Sequence, residues 1–177
     1  VAQSYNYYPV SYMNREEGIA FVALGLGRTI VDGGKSLRFS PKYPNILPQY
    51  YSIRSTMQNS QHEFFALDLN NGESPLNGGE SKNLKPFSLN NAENDGVLKH
   101  LASVVCNNDN VIRDSLKYDG TRVLTFASIL KYNRLPLAEI LNRLLDLGTN
   151  ALGCPVEIEF AVNLYDNKDT PDEFYLL

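Results

Sequence analysis

Pro155-Val156-Glu157-Ile158-Glu159-Phe160-Ala161-Val162-Asn163-Leu164 alternates apolar and polar side chains with a period of two. A β-strand sends successive side chains to opposite faces. Val156, Ile158, Phe160, Val162 and Leu164 therefore point to one side, and Glu157, Glu159, Ala161 and Asn163 to the other. The polar run 166–172 reads as a turn and the residues from Glu173 as a second strand, which makes an antiparallel hairpin. At a rise of roughly 3.3 Å per residue the two carboxylates stand about 7 Å apart. Like charges that close repel unless a cation answers them, so the pair is open to a metal ion or a metal-bound phosphate. It is equally the pattern of a solvated outer face, and spacing alone favours that second reading.

The segment before this stretch is an amphipathic helix from Pro136. Proline suits a first helical turn, and Leu137, Ile140, Leu141, Leu144 and Leu145 keep a helical period up to Gly148, which the pattern takes as the closing glycine. Further upstream, Ile19-Ala20-Phe21-Val22-Ala23-Leu24 reads as a strand buried on both faces. It runs into Gly25-Leu26-Gly27, where glycine permits a tight turn and a close approach by a ligand or another chain. A lone Gly-x-Gly without the rest of a dinucleotide or Walker pattern favours the turn.

Tyr5, Tyr7, Tyr8 and Tyr12 around Pro9 suggest an extended segment over 1–13 that Pro9 confines to an edge or a bend, with structural tyrosines ahead of a stacking surface. Residues 35–48, with three prolines, are expected to be irregular. Strands are expected over 50–55, 62–69 and 122–130, and a helix over 96–105 with His100 on or beside its polar face. The Asn-, Gly- and Ser-rich stretch 70–95 reads as a flexible surface insertion.

The 177 residues suit one domain with its own core. A net charge of −4 with scattered Lys and Arg argues against nucleic acid or an anionic membrane as partner. The longest apolar runs are too short to cross a bilayer. Cys106 and Cys154 lack metal-ligand spacing and are expected as buried thiols in a reduced, cytoplasmic setting. A first residue of valine and a final apolar run, Phe174-Tyr175-Leu176-Leu177, suggest a fragment of a longer polypeptide.

Three stretches in order resemble the nucleotide-binding domain of the phosphoenolpyruvate synthase and pyruvate phosphate dikinase family. Val1 to Pro9 resembles the segment after that domain's Ser-Gly pair. Gly25-Leu26-Gly27 with Ile30-Val31-Asp32-Gly33 looks like its GLGExxVxG segment, and the 155–162 block resembles its P-x-[DE]-[IM]-E-[FW]-[AT]-[IV] motif. The resemblance frames residues 1 to 164, while 36–135 match none of the family's motifs. It implies an α+β fold, an ATP-grasp lobe with a mostly antiparallel sheet and two or more packed helices. It also implies ATP and Mg2+ as cofactors, with Glu159 as the magnesium and ATP ligand and Glu157 as the second acid. Gly25, Gly27 and Arg28 become phosphate-loop candidates. The family commonly has glutamate where Arg28 stands, so Arg28 is open to a phosphate contact or to an ion pair with Asp32 or Glu16.

The activity implied is that of an ATP-dependent phosphotransferase, converting ATP, pyruvate and water to AMP, phosphoenolpyruvate and phosphate in the complete enzyme. This chain alone would be inactive. Its implied partners are ATP and the remaining domains of the parent polypeptide: an upstream nucleotide-binding lobe, a phosphohistidine domain and a pyruvate-binding barrel. A family Gln-x-Arg triplet is expected just past Leu177. The alternative is a module that kept the fold and lost catalysis.

Overall fold

The structure, a computed structural model, describes residues 1–10, 12–68, 83–167 and 169–177. It mixes helices with several small sheets, and every strand pair among the described residues is antiparallel. The sheet that carries the 155–164 block runs in the order β3 (Leu37–Phe39), β2 (Ile19–Val22), β1 (Ala2–Gln3), β9 (Glu157–Ile158). β10 (Phe160–Asn163) continues from β9 after Glu159 and pairs with β11 (Glu173–Leu176). The Val156 carbonyl accepts from Ser4 N–H on β1's side, and the Glu159 carbonyl accepts from Leu177 N–H on the other. Residues 157–163 are thus one ribbon, flanked by β1 at its start and by β11 at its end.

β1 lies between two strands, and it stops at Gln3, well before Pro9. Of the two expected arrangements, edge or bend, residues 2–3 are a central strand and not an edge, while the chain bends at 4–5 and 7–8 before Pro9, because proline excludes ladder pairing only where it stands. Within 35–48, expected as irregular, β3 forms between the glycine turn and the prolines.

The core lies on the inner face of this sheet. Ala2, Ala20, Val22, Leu37 and Phe39 meet Leu137, Leu141 and Leu145 of α5 (Leu137–Leu152). The helix passes through Gly148, where a Cβ would meet Val156 Cγ2 at 3.0 Å. Gly148 lets the helix lie against the ribbon, and the chain leaves the helix at Gly153 instead, with φ 68°. Cys154 follows this cap on the surface, so of the two cysteines only Cys106 is buried.

A second sheet, in the order β7 (Val111–Arg113), β6 (Ala102–Cys106), β8 (Thr121–Leu124), replaces the helix expected over 96–105. Gly96, with φ 75°, opens a single 3-10 turn over Val97–His100, and the buried residues that follow are a central strand. A short apolar run fits either period, and pairing on both edges selected the strand. The strand expected over 122–130 ends at Leu124. Phe126 has φ 53°, and α4 (Ala127–Leu130) begins there.

Residues 50–55 also depart from expectation. A 3-10 turn covers Pro48–Tyr50, and α2 (Ile53–Asn59) starts at Ser52, whose hydroxyl accepts from Ser55 N–H at 3.1 Å. β4 (Glu63–Leu67) matches the expected strand and pairs with β5 (Leu84–Ser88). Of the stretch read as a flexible insertion, 70–82 lies outside the described residues, and 84–94 forms β5 and α3 (Leu89–Asn94). No helix among the described residues is long and apolar enough to cross a membrane.

Candidate functional site: an open acidic face on the hairpin ribbon

Alternation holds along the whole ribbon: Val156, Ile158, Phe160, Val162 and Leu164 are half-buried against the core, while Glu157, Glu159, Ala161 and Asn163 are exposed. Both carboxylates therefore share one open face. Glu157 Oε2 accepts from Gln3 Nε2 at 2.6 Å, across the β1–β9 pair. Glu159 has no side-chain hydrogen bond or salt bridge with the described residues. The face continues across β11, because Ala161 stands opposite Tyr175 and Asn163 opposite Glu173. Glu173 Oε2 accepts from Tyr175 at 2.6 Å and from Tyr165 at 2.8 Å. These phenol donors, Tyr175 first, hold the Glu173 carboxyl below its ordinary value. Gln3, Glu173 and Tyr175 were not singled out from sequence. Extending the period of two along the second arm finds Glu173 and Tyr175, whereas Gln3 requires the register with β1.

The glycine turn lies elsewhere. Glu159 follows Ile158, which pairs with Ala2, and β1 separates the ribbon from β2. Two strand spacings, about 10 Å, therefore lie between the ribbon and β2 before the chain has even reached Gly25. Gly25 packs on β4: with φ 87°, a Cβ there would stand 2.6 Å from the Phe65 carbonyl oxygen, and Leu26 N–H donates to that oxygen at 2.9 Å. Gly27 faces open space and precedes α1 (Arg28–Val31). Arg28 pairs with Asp32 and not with Glu16, with Nε 2.9 Å from Oδ2 and the guanidinium 5.1 Å above the Phe65 ring. Gly25, Gly27 and Arg28 are thus engaged with β4 and with their own turn, and no hydrogen bond or ion pair joins them to Glu157 or Glu159 among the described residues.

His100 makes a short contact with Asp166 in the hairpin turn rather than facing solvent alone, whereas His62 is exposed. Among the described residues no group of three or more His, Cys, Asp or Glu side chains could hold a metal. Two surface cavities, of about 350 Å³ beside Cys106, Arg113 and Tyr118 and about 580 Å³ beside α2, include neither glutamate of the pair.

The pair fits a magnesium ion in a limited sense. Mg2+ uses hard oxygen donors and is usually held by one or two carboxylates, the other positions going to phosphate oxygens and water. A carboxylate without a hydrogen-bond donor among the described residues, beside one steadied by an amide, meets that description, and the Val1 ammonium is the cation that both carboxylates attract. Among the described residues there is no closed all-protein cage. No protein-family model, curated protein or solved structure matches the chain.

Proposed function

We propose that this chain is the acidic, magnesium-presenting part of an ATP-binding module in a phosphoenolpyruvate synthase-like phosphotransferase of ATP-grasp type. Glu159 is the principal ligand and Glu157 its helper. The observation that carries the reading is the open face on which both carboxylates stand, with Glu159 free of hydrogen bonds to the described residues and Glu157 oriented by Gln3. A bound metal there would screen phosphate charge during phosphoryl transfer. The ribbon's task is to hold two oxygen donors in fixed register, and its packing on α5 does so. On this reading the chain works in the cytoplasm, joined to an upstream nucleotide-binding lobe, a phosphohistidine domain and a pyruvate-binding barrel.

Mn2+ as a magnesium substitute gives a direct test on the chain. Titrated to millimolar concentration, it is expected to broaden the amide signals of residues 157–161 selectively. Glu159→Gln abolishes the effect and Glu157→Gln weakens it. Adding ATP strengthens the wild-type effect, since phosphate oxygens complete the coordination. Uniform or absent broadening in the wild type sinks the proposal.

A second reading, a binding or regulatory module without turnover, is favoured by two contacts. Arg28 Nε is paired to Asp32, and Gly25 packs against β4, so both already have local partners. Phosphotransfer by the complete polypeptide, compared with its Glu159→Ala variant, separates the two readings. Equal activity of the two would assign the chain to the second.

A further inference from the structure

The open face of the ribbon does not end at Glu159. Strand pairing puts Tyr175 opposite Ala161 and Glu173 opposite Asn163, so both β11 residues share the side on which Glu157 and Glu159 stand. Tyr175 is 44% exposed, and the single methyl group of Ala161 is too small to cover its ring. Leu177 N–H donates to the Glu159 carbonyl, which makes Tyr175 the diagonal neighbour of Glu159. Diagonal positions on one face of a strand pair are about 7–8 Å apart. Tyr8 and Tyr51 are more exposed, but neither lies on the ribbon.

The ring of Tyr175 is tethered at its far end. Its hydroxyl donates to Glu173 Oε2 at 2.6 Å, and the Tyr165 hydroxyl donates to the same oxygen at 2.8 Å. Tyr165 is fixed in turn: its N–H donates to Asp172 Oδ1 at 2.8 Å, and its carbonyl accepts from Arg134 Nη2 at 2.5 Å. Arg134, in the loop before α5, grips Asp172 through Nε at 2.8 Å and Nη2 at 3.0 Å. On the opposite side of the hairpin Phe160 and Phe174 stack at 5.6 Å and pack on the core. A tyrosine has only two side-chain torsions, and one whose hydroxyl is already bonded loses little further freedom when a ligand covers it.

With Glu157 and Glu159 taken as the metal ligands, on which this step rests, we propose that Tyr175 is the stacking platform for the base of the bound nucleotide. The face then prefers a nucleoside triphosphate to a bare polyphosphate. The two ends of such a ligand are sorted by chemistry. Phosphates are repelled by the carboxylates unless a metal stands between them, so they gather at Glu159 and Glu157. The base carries no charge, and its π-face meets an aromatic ring favourably whatever its edge groups. Glu173 is a positioning residue here, since its Oε2 is bonded to two phenols and fixes the ring.

The test compares the affinities of Mg2+–ATP and Mg2+–tripolyphosphate for the chain by calorimetric titration. Wild type is expected to bind ATP about fivefold to thirtyfold more tightly, the effect of one stacked base. Tyr175→Ala removes that preference and keeps the affinity for tripolyphosphate, which also shows that its hairpin is intact. Tyr175→Phe, which retains the ring, retains the preference. In wild type, ATP moves the Tyr175 ring proton signals upfield and tripolyphosphate does not, a readout that needs no variant to fold. Equal affinity of wild type for the two ligands, an unchanged preference in Tyr175→Ala, or ring signals that do not move with ATP overturns the stacking role. Binding of tripolyphosphate as tightly as ATP removes the stacking role alone, whereas binding of neither removes the metal-ligand reading and the stacking role together.

Discussion

Gly25 shows how far one residue's role depends on its neighbour. Its φ of 87° and the 2.6 Å gap to the Phe65 carbonyl leave no space for a methyl group. Gly25→Ala is therefore expected to destabilise the fold by about 1–3 kcal/mol, from left-handed strain plus the displacement of β4. The loss should appear in urea unfolding without any ligand; a variant as stable as the wild type would mean that β4 gives way to the added methyl group. Glu157 and Glu159 differ for an equally local reason. The amide of Gln3 hydrogen-bonds the first and no described donor hydrogen-bonds the second, which the Val1 ammonium attracts through space, so the two are chemically unequal although the sequence pattern makes them equivalent.

At the scale of elements, the sequence was most legible where one face meets a core and the other meets solvent. The 155–164 ribbon and α5 both follow that rule, and both keep their expected periods. It was least legible in short apolar runs such as 102–106, where strand and helix patterns coincide, and at Phe126, whose left-handed backbone no propensity announces. The hairpin turn was legible as a turn, but its clamp was not, because Arg134 and Asp172 are 38 residues apart. Arg134 is the main cause of the lowered Asp172 carboxyl, with the Tyr165 N–H adding to it against the cost of burial. A carboxyl lowered by folding contributes stability above its unfolded pKa, about 3.9, and loses it as pH falls through the lower folded value. Asp172→Asn is thus expected to cost about 1 kcal/mol at neutral pH. The gap from wild type should close below about pH 4. A gap that stays constant down to acid pH would mean that the clamp contributes through shape and not charge.

Across the whole molecule, residues 48–61 join the two larger sheets through side chains that imitate strands. Gln49 accepts from Arg38 N–H at 2.6 Å and donates to the Ser36 carbonyl at 3.2 Å, which covers the open edge of β3. Ser60 accepts from Leu124 N–H at 2.7 Å and Tyr50 donates to the Leu124 carbonyl at 2.8 Å, covering β8 in the same way. Burial pushes the Tyr50 phenol up to about 12, so this link remains intact through the neutral range. Gln61 accepts from Leu24 N–H at 2.8 Å and donates to the Leu24 carbonyl at 2.9 Å just beyond β2. Gln61→Leu leaves both groups buried without that partner, each worth about 1–3 kcal/mol. The expected loss is at least about 2 kcal/mol in equilibrium unfolding. A smaller loss would mean that the segment adjusts to supply new partners.

By itself, the sequence determined which faces are wet and which are dry along the ribbon and α5, because alternation and helical period act within a few residues of the chain. That was enough to place both glutamates on one open face and to expect a hairpin behind them. Tertiary structure alone decided that Gln3 steadies Glu157, that Arg28 and Gly25 are taken by Asp32 and β4, and that His100 and Arg134 hold the hairpin turn. Those outcomes depend on register and on contacts between distant segments. A side chain's chemical type states what it can bond to, and only the fold states what stands within reach.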